Sequence, residues 1–167
     1  AARHRQDGAE GYAHYGGLPE LRQVLAEQLH QHRGLACAPE NILITPGTQA
    51  SLMIAAAAFA DPGETAFIES PGYISARMAL EAAGLTCRSL KVDLNGANPA
   101  AVDLSEARLI YVTPSTQYPT GVRLPMTRRL ALIEAAREAD AVILEDDYDS
   151  EFVWEGRGIA GLAALPD

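Results

Sequence analysis

The sequence is poor in cysteine, lysine and histidine and has no long apolar run. The two cysteines, Cys37 and Cys87, form no CxxC or other ligand-like spacing, which is typical of reduced thiols in a cytoplasmic protein. The longest apolar stretch, residues 51–60, is far shorter than the ~20 residues that span a bilayer. All the histidines lie in the first 32 residues, and His30 and His32 face different sides of a predicted helix. These absences argue against a disulfide scaffold, a membrane protein and a metal site.

Basic residues are also scarce, since 13 of them stand against 22 acidic residues and give a net charge of −9. A surface that grips nucleic-acid phosphates is usually basic, so any contact with DNA is expected to be made by another segment. The 167 residues correspond to about one domain, and a domain of this size buries roughly 70% of its unfolded surface. We therefore expect a single domain with a substantial core.

Helical and strand patterns alternate along the chain. The predicted helices cover residues 17–34, 48–60, 74–83 and 127–139, and the predicted strands cover residues 41–45, 65–70, 86–92, 107–113 and 141–145. Several strands are continuously apolar, which is typical of a parallel sheet that is covered on both sides. The prediction is an α/β fold, with a mostly parallel sheet and helices on both faces. Ligands of such sheets bind beyond the carboxyl ends of the strands.

Two loops at predicted strand ends have the composition of a binding site. In "PGTQAS", Gly47 permits close backbone approach, and Thr48 and Gln49 open a helix whose free amides can bind an anion. The alternative is a plain threonine cap on that helix. In "PGY", Tyr73 either presents a flat ring to a planar ligand or simply fills a crevice in the protein.

Two further loops carry polar and acidic residues. Residues 114–122, "PSTQYPTGV", are too rich in Pro, Gly and polar side chains for an economical turn. The strand 141–145 runs into "EDDYDSEF", where crowded carboxylates must be stabilised by solvent, a metal or a ligand that needs an anion. A solvated acidic loop is the simpler alternative. Together, the four loops predict a pocket for a flat, phosphorylated, nitrogen-containing ring.

Five motifs in register carry a resemblance to a known family. The stretches "GLPELR", "ILITPGTQ", "DPGETAFIESPGY", "ARLIYVTPSTQYPTGV" and "VILEDDYDSEF", in this order, resemble pyridoxal 5'-phosphate (PLP) dependent aminotransferases of fold type I. The residues "PSTQYPTG" and "EDDYDSEF" in the last two stretches are similar to those of the aminotransferase-like domain of MocR-type transcriptional regulators in the GntR superfamily. The resemblance implies that residues 1–167 are a partial large domain. A winged-helix DNA-binding domain is expected before it, and lysine-bearing and small-domain parts are expected after it.

The resemblance also implies a set of cofactor-binding residues. They are Gly47, Thr48 and Gln49 at the phosphate, Tyr73 stacked on the ring, Asp146 at the ring nitrogen, Tyr148 at the ring hydroxyl, and Tyr12 at the phosphate of a partner subunit's site in a homodimer. A carboxylate beside the ring nitrogen raises the pKa of that nitrogen and keeps it protonated. Asp146 is therefore expected to face the ring, whereas Asp147 and Asp149 are expected to be solvated or to cap a turn.

Two departures from the family pattern bear on activity. Tyr118 precedes "PTG" where many aminotransferases have the Asn that contacts the ring hydroxyl, which leaves open whether Gln117 takes its place. The only lysine, Lys91, lies in the predicted strand 86–92, whereas the lysine that forms the family's Schiff base follows the acidic motif. The chain by itself is thus expected to hold no catalytic residue and to be no enzyme.

The prediction for the intact protein is transcriptional regulation in the cytoplasm, with PLP, free or as an amino-acid aldimine, as the effector of a dimeric sensor. DNA would be bound only through the separate N-terminal domain. The first alternative is a free-standing class I/II aminotransferase that transfers an amino group between an amino acid and a 2-oxo acid. The second is a carboxylate-rich binding module without a cofactor.

Overall fold

The computed structural model describes residues 15–150, 152 and 160–165. The helices of these residues are α1 (Pro19–Arg33), α2 (Thr48–Phe59), α3 (Ile74–Ala82) and α4 (Met126–Glu138). The strands are β1 (Thr65–Ser70), β2 (Thr86–Asp93), β3 (Gly96–Ala97), β4 (Ala107–Val112) and β5 (Val142–Glu145). Short 3-10 helices lie at Pro39–Asn41, Pro99–Ala101 and Leu162–Ala164.

The strands form one sheet with the order β3-β2-β1-β4-β5. The neighbours among β2, β1, β4 and β5 are parallel, and only the two-residue β3 is antiparallel, to β2. From β1 the chain first extends the sheet on one side through β2 and β3, and then returns to the other side of β1 with β4 and β5. The strand order therefore reverses between β1 and β4, and a crevice opens at the carboxyl ends of parallel strands at such a point.

Proline, glycine and a left-handed residue mark the ends of the helices. α1 begins at Pro19, whose missing N–H costs nothing in the first turn. It ends at Gly34, which has a φ of 68° and donates its N–H to the carbonyl of Leu29. α4 is followed by Asp140, which adopts a φ of 51°. Aspartate is one of the few residues other than glycine that tolerate this conformation.

The sheet buries an apolar core on each face. On one side, α2 and α3 contribute Leu52, Ala56, Ala76, Ala79 and Leu80, which pack against Ala66, Ile68, Leu109 and Tyr111 of the sheet. On the other side, Leu132 and Ala136 of α4 and Leu162 pack against Phe67, Leu90, Ile110 and Val112. Alternate residues of β1 and β4 thus enter opposite cores. The predicted α/β fold, with a mostly parallel sheet between helices, is confirmed.

The predicted strand over residues 41–45 is wrong. Residues 39–41 form a 3-10 helix, and the segment that follows is irregular. Among the described residues its backbone has no strand partner, and its bonds to the preceding chain run from Ile42 N to the carbonyl of Pro39 and from Ile44 N to the carbonyl of Gly16. An apolar run becomes a strand only where a neighbouring edge receives its hydrogen bonds. None of the described helices is long and apolar enough to cross a membrane.

Candidate functional site

A cleft of about 460 Å³ lies between the start of α2 and the carboxyl end of β5. It is lined by Thr45, Gly47, Thr48, Ser51, Leu52, Ala55, Tyr111, Ile143, Leu144, Glu145 and Asp146. The cleft thus brings together three sequence segments, which are residues 45–55, Tyr111 on β4, and residues 143–146. The first offers backbone amides and hydroxyls, and the last offers carboxylates.

The start of α2 forms the polar end of the cleft. No described side chain caps this helix, and its first backbone bond runs from Ser51 N to the carbonyl of Gly47. The amides of the first turn therefore lack acceptors within the helix and carry its positive end. Gly47 has a φ of 122°, and a Cβ at this position would meet no atom within 4 Å. The hydroxyls of Thr45 and Ser51 lie 2.7 Å apart beside it. This arrangement suits an anion.

Asp146 forms the acidic end of the cleft. Its amide donates to the carbonyl of Val112, and its Oδ2 accepts a 2.6 Å hydrogen bond from the hydroxyl of Tyr111. Burial and the bond to Asp146 raise the pKa of Tyr111 far above its usual value, so this phenol keeps its proton and acts as the donor. The sequence analysis missed Tyr111. The available signal was a lone tyrosine near the end of an apolar strand. In the sheet, its side chain lies on the same face as that of Asp146, which follows β5.

Three tyrosines form an edge-to-face cluster beside the cleft. The ring of Tyr118 lies 5.8 Å from that of Tyr73 and 6.5 Å from that of Tyr148, at interplanar angles of 81° and 83°. Tyr73 packs against the same core cluster as Tyr111, whereas Tyr118 and Tyr148 are about half exposed. Partial burial and the charge of Asp149 raise the pKa of Tyr148. Tyr118 therefore links the two tyrosines that the sequence analysis assigned to the ring.

Gln117 is buried in the loop after β4 and its amide is fully used there. Its Nε2 donates to the carbonyls of Pro71 and Tyr118, at 2.9 Å and 2.6 Å. Its Oε1 accepts bonds from both the backbone and the hydroxyl of Thr120. A side chain that is 1% exposed and has these partners is not free to contact a ligand. Gln117 therefore shapes the loop.

Glu69 is a buried carboxyl that joins the ends of β1 and β4. Its Oε2 accepts bonds from the amide and hydroxyl of Thr113, at 3.1 Å and 2.6 Å, while its Oε1 is buried and has no partner among the described residues. Burial raises the pKa of Glu69. The chain then turns so tightly that a Cβ on Gly72 would overlap the carbonyl oxygen of Glu69. The sequence analysis did not single out Glu69.

The acidic motif is not uniformly solvated. Asp147, which was expected in solvent or at a turn, forms an ion pair with the buried Arg33, and its side chain is 21% exposed. Glu145 pairs with the same guanidinium and accepts a 2.7 Å bond from the amide of Leu162. Asp147 also accepts a hydrogen bond from the hydroxyl of Ser150 in the turn that follows, as one of the two expectations had it, and the residue as a whole is exposed. The ion pair with Arg33 was not predicted. A cation more than one hundred residues away neutralises part of the cluster.

The predicted site residues fall into three groups. Gly47, Thr48 and Asp146 line the cleft, with Gln49 next in the exposed first turn of α2, while Tyr73 and Tyr148 belong to the tyrosine cluster. Tyr12 lies outside the described residues.

Lys91 is exposed on β2 and pairs with Ser70 at the end of β1. β1 and β4 separate β2 from β5, the strand that precedes Asp146. Among the described residues no His, Cys, Asp or Glu side chains are grouped so that they could hold a metal ion.

Known structures share this arrangement of sheet and helices. An archaeal alanine:glyoxylate aminotransferase superposes with a TM-score of 0.80 at 34% identity, over 90% of this chain and 39% of the other. The fold and the cleft thus define an α/β domain of the class found in PLP-dependent aminotransferases. The sequence pattern of the family called aminotransferase class I and II matches residues 1–166. The chain belongs to this family.

Transcriptional regulators are among its relatives. The chain is 39% identical to the probable rhizopine catabolism regulatory protein MocR of Rhizobium meliloti, over 98% of this chain and 33% of that protein. It is 38% identical to the pyridoxine biosynthesis transcriptional regulator PdxR of Corynebacterium glutamicum, over 90% of this chain and 33% of the regulator. The chain spans about a third of the length of these relatives. The resemblance to MocR-type regulators is confirmed.

Proposed function

We propose that the chain is part of the aminotransferase-like effector domain of a MocR-type transcriptional regulator, and that this domain binds PLP, alone or together with an amino acid. The intact regulator would be a cytoplasmic homodimer that binds DNA through a separate N-terminal domain. The observation that carries this proposal is the cleft that brings the start of α2 and Asp146 together. The regulators at 38% and 39% identity support the regulatory part of the proposal.

The polar end of the cleft fits the phosphate of PLP. The amides of Thr48 and Gln49 open α2 without a side-chain cap, and Gly47 leaves the approach free of a side chain. An anion here would be stabilised by several N–H donors and by the helix dipole. In our proposal, Tyr12 reaches the phosphate of the partner subunit's site, an assignment that is supported by the sequence resemblance.

The acidic end of the cleft fits the ring of PLP. When bound, PLP supplies an electron-withdrawing pyridinium ring. Asp146 would hold the proton on the ring nitrogen, and the hydroxyl of Tyr111 would keep the carboxylate oriented through its 2.6 Å bond. Tyr73 would stack on the ring and Tyr148 would reach the ring hydroxyl. Tyr118 would hold these two tyrosines edge to face.

An enzymatic role is the second candidate. It is favoured by the 34% identity to an archaeal aminotransferase. The loop after β4 argues for the regulator, because Tyr118 replaces the expected Asn and the amide of Gln117 is occupied by Pro71, Tyr118 and Thr120. Lys91 is exposed on β2, and two strands separate it from β5 and Asp146, so the residues of this chain would bind PLP without attaching it covalently.

The exposed face of α2 supports assembly into a dimer. Its sequence, "TQASLMIAAAAF", contains no charged residue, yet only Leu52 and Ala56 are buried. Met53, Ile54 and Phe59 are 45% to 48% exposed. A helix that is apolar on all sides is usually covered by other protein, and we propose that the partner subunit contributes to this cover.

The test uses the full-length protein that contains this chain. PLP is titrated while absorbance is followed, and binding to its own promoter DNA is measured with and without PLP and candidate amino acids. We expect saturable PLP binding and a change in DNA affinity. Transfer of an amino group to a 2-oxo acid, without any DNA binding, would establish the enzyme instead. Absence of PLP binding would refute both candidates.

A further inference from the structure

One buried cation joins the two loops that carry the site. Arg33 is the last residue of α1 and is 6% exposed. Its Nη2 lies 3.0 Å from Oε1 of Glu145 and 2.9 Å from Oδ2 of Asp147. Both Nη1 and Nη2 lie 3.3 Å from the hydroxyl of Ser115, in the loop after β4. A single guanidinium thus contacts the loop that holds Tyr118 and the strand end that holds Asp146.

The two carboxylates paired with Arg33 flank Asp146 in sequence. Side chains alternate along a strand, and on β5 Ile143 packs into the core beneath α4, whereas Leu144 packs into the core beneath α2 and α3. The side chains of Glu145 and Asp147 lie on the same face as Ile143 and contact Arg33. The side chain of Asp146 lies on the same face as Leu144 and contacts Tyr111. Arg33 therefore holds the strand end through Glu145 and Asp147, whereas Tyr111 contacts it through Asp146.

The charges make this contact hard to replace. Burial raises the pKa of Glu145, while Arg33 and the amide of Leu162 act in the opposite direction. The carboxylate of Asp147 also raises this pKa, so the two acids repel each other across the guanidinium. Without Arg33, two like charges would remain at a partly buried strand end, with the weaker attraction of Arg129 to oppose them. The loop would have to move them into water or take up a proton.

We propose that Arg33 is a positioning residue, which fixes the loops after β4 and β5 together and thereby sets the direction in which Asp146 faces bound PLP. This inference rests on the proposed function of the cleft. It assigns no contact between Arg33 and the ligand. It predicts that charge balance at the strand end, and not only packing, determines the affinity for PLP.

Arg129 provides a matched control. It is also buried, at 1% exposure, and lies near the same strand end. Its guanidinium donates to the backbone carbonyls of Leu124, Pro114 and Ala160. Arg129 also attracts Glu145, though less than Arg33 does, and among the described residues it forms no ion pair with Glu145 or Asp147. Its loss therefore removes a buried cation and three hydrogen bonds, but it leaves Arg33 paired with both carboxylates.

The experiment measures PLP affinity in the full-length protein with the variants Arg33→Met, Arg33→Lys and Arg129→Met, each with and without Asp147→Asn. Loss of a group that orients a metal ligand typically costs about tenfold to a hundredfold in affinity, and for PLP in Arg33→Met we expect the lower end, about tenfold. Arg33→Lys, which keeps the charge but not the planar fork, should lose less. Asp147→Asn should restore part of the affinity of Arg33→Met, because it removes one of the unpaired charges. It should not improve Arg129→Met.

Hydrogen exchange of the PLP-free variants gives a readout that does not depend on the cofactor. Arg33→Met should accelerate exchange in both residues 113–121 and residues 145–150, and Asp147→Asn should slow it again in the second range. Equal losses of PLP affinity in Arg33→Met and Arg129→Met, with no recovery by Asp147→Asn, would overturn the inference. So would unchanged exchange in both loops. If the wild-type protein bound no PLP, the proposed function would fail, while the exchange data would still decide whether Arg33 fixes the loops.

Discussion

Replacement of Asp146 by Asn tests the assignment of the ring nitrogen. Asn has nearly the same size as Asp, and its amide oxygen can still accept the hydroxyl of Tyr111, which lies 2.6 Å from Asp146 in the native protein. A hydrogen bond to a charged group contributes about 1.5 to 3 kcal/mol, compared with about 0.5 to 1.5 kcal/mol for a neutral one. The loss of stability should therefore be only about 1 kcal/mol. The fold should persist.

The effect on bound PLP should be larger than the effect on stability. An opposite charge at close range shifts a pKa by about 1 to 3 units, and each pKa unit corresponds to about 1.4 kcal/mol. Asp146 is partly exposed in an open cleft, so solvent screens its charge and the lower half of this range applies. The pKa of the ring nitrogen should therefore fall by about 1 to 2 in Asp146→Asn. A pH titration of the absorbance of PLP bound to the full-length protein measures this change.

Asp147→Asn is the matched control for this substitution. It removes a neighbouring charge of the same sign and size, but that charge pairs with Arg33, which retains Glu145 as a partner. We expect a decrease in the midpoint of thermal unfolding and an unchanged pKa of the ring nitrogen. A shift of that pKa in Asp147→Asn, with none in Asp146→Asn, would show that the ring nitrogen faces Asp147 and that our assignment of Asp146 is wrong.

Three further substitutions test other parts of the structure. Burial raises the pKa of Glu69, so the folded protein binds this proton more tightly than the unfolded chain, and stability should fall as pH rises above the ordinary value of 4.5. Glu69→Gln keeps an acceptor for Thr113 and should flatten this fall in urea unfolding at about pH 5 and about pH 8, whereas an unchanged slope would contradict the assignment. Gly72→Ala should abolish folding, because its Cβ would overlap the carbonyl oxygen of Glu69. Gly63→Ala is the control, because this position has open space and only an unfavourable φ of 95°. It should lower the unfolding midpoint modestly. Lys91→Arg should leave PLP affinity unchanged, and borohydride reduction of the PLP complex should leave Lys91 unlabelled; a stoichiometric adduct there would refute the proposed site.

Local signals were sufficient for most of the fold. β1 begins at Thr65 and ends at Ser70 as predicted, because its apolar run lies between "DPGE" and "PGY", which are strong turn signals. The segment 41–45 has an equally apolar sequence, yet it forms no strand. The difference is a hydrogen-bonding partner, and the pairing of a strand depends on distant residues that its own sequence does not contain. The two-residue β3 was not predicted, since it is too short to produce a period.

The site was predictable only where its motifs are local. Asp146 follows a predicted strand that the structure contains, whereas α2 follows residues 41–45, which form no strand. The packing of Leu52 and Ala56 of α2 on the sheet brings the two together. Arg33 left no such signal, because it is separated from Glu145 by 112 residues and stands in an ordinary amphipathic helix. The role of Gln117 also depended on tertiary contacts, since the sequence does not determine which way a loop amide points. Charge pairing and orientation across distant segments are therefore what the structure adds.

The reversal of strand order between β1 and β4 has a consequence for how such a domain can change during evolution. The strands are fixed by two apolar cores, whereas Tyr73 and Tyr118 project from loops beyond the strand ends, where they meet each other. A substitution such as Tyr for Asn at position 118 alters what the crevice can recognise and leaves every buried strand residue in place. The chemistry of the site can therefore drift while the sheet stays under selection for packing alone. This separation gives a physical reason why one architecture can serve both enzymes and regulators.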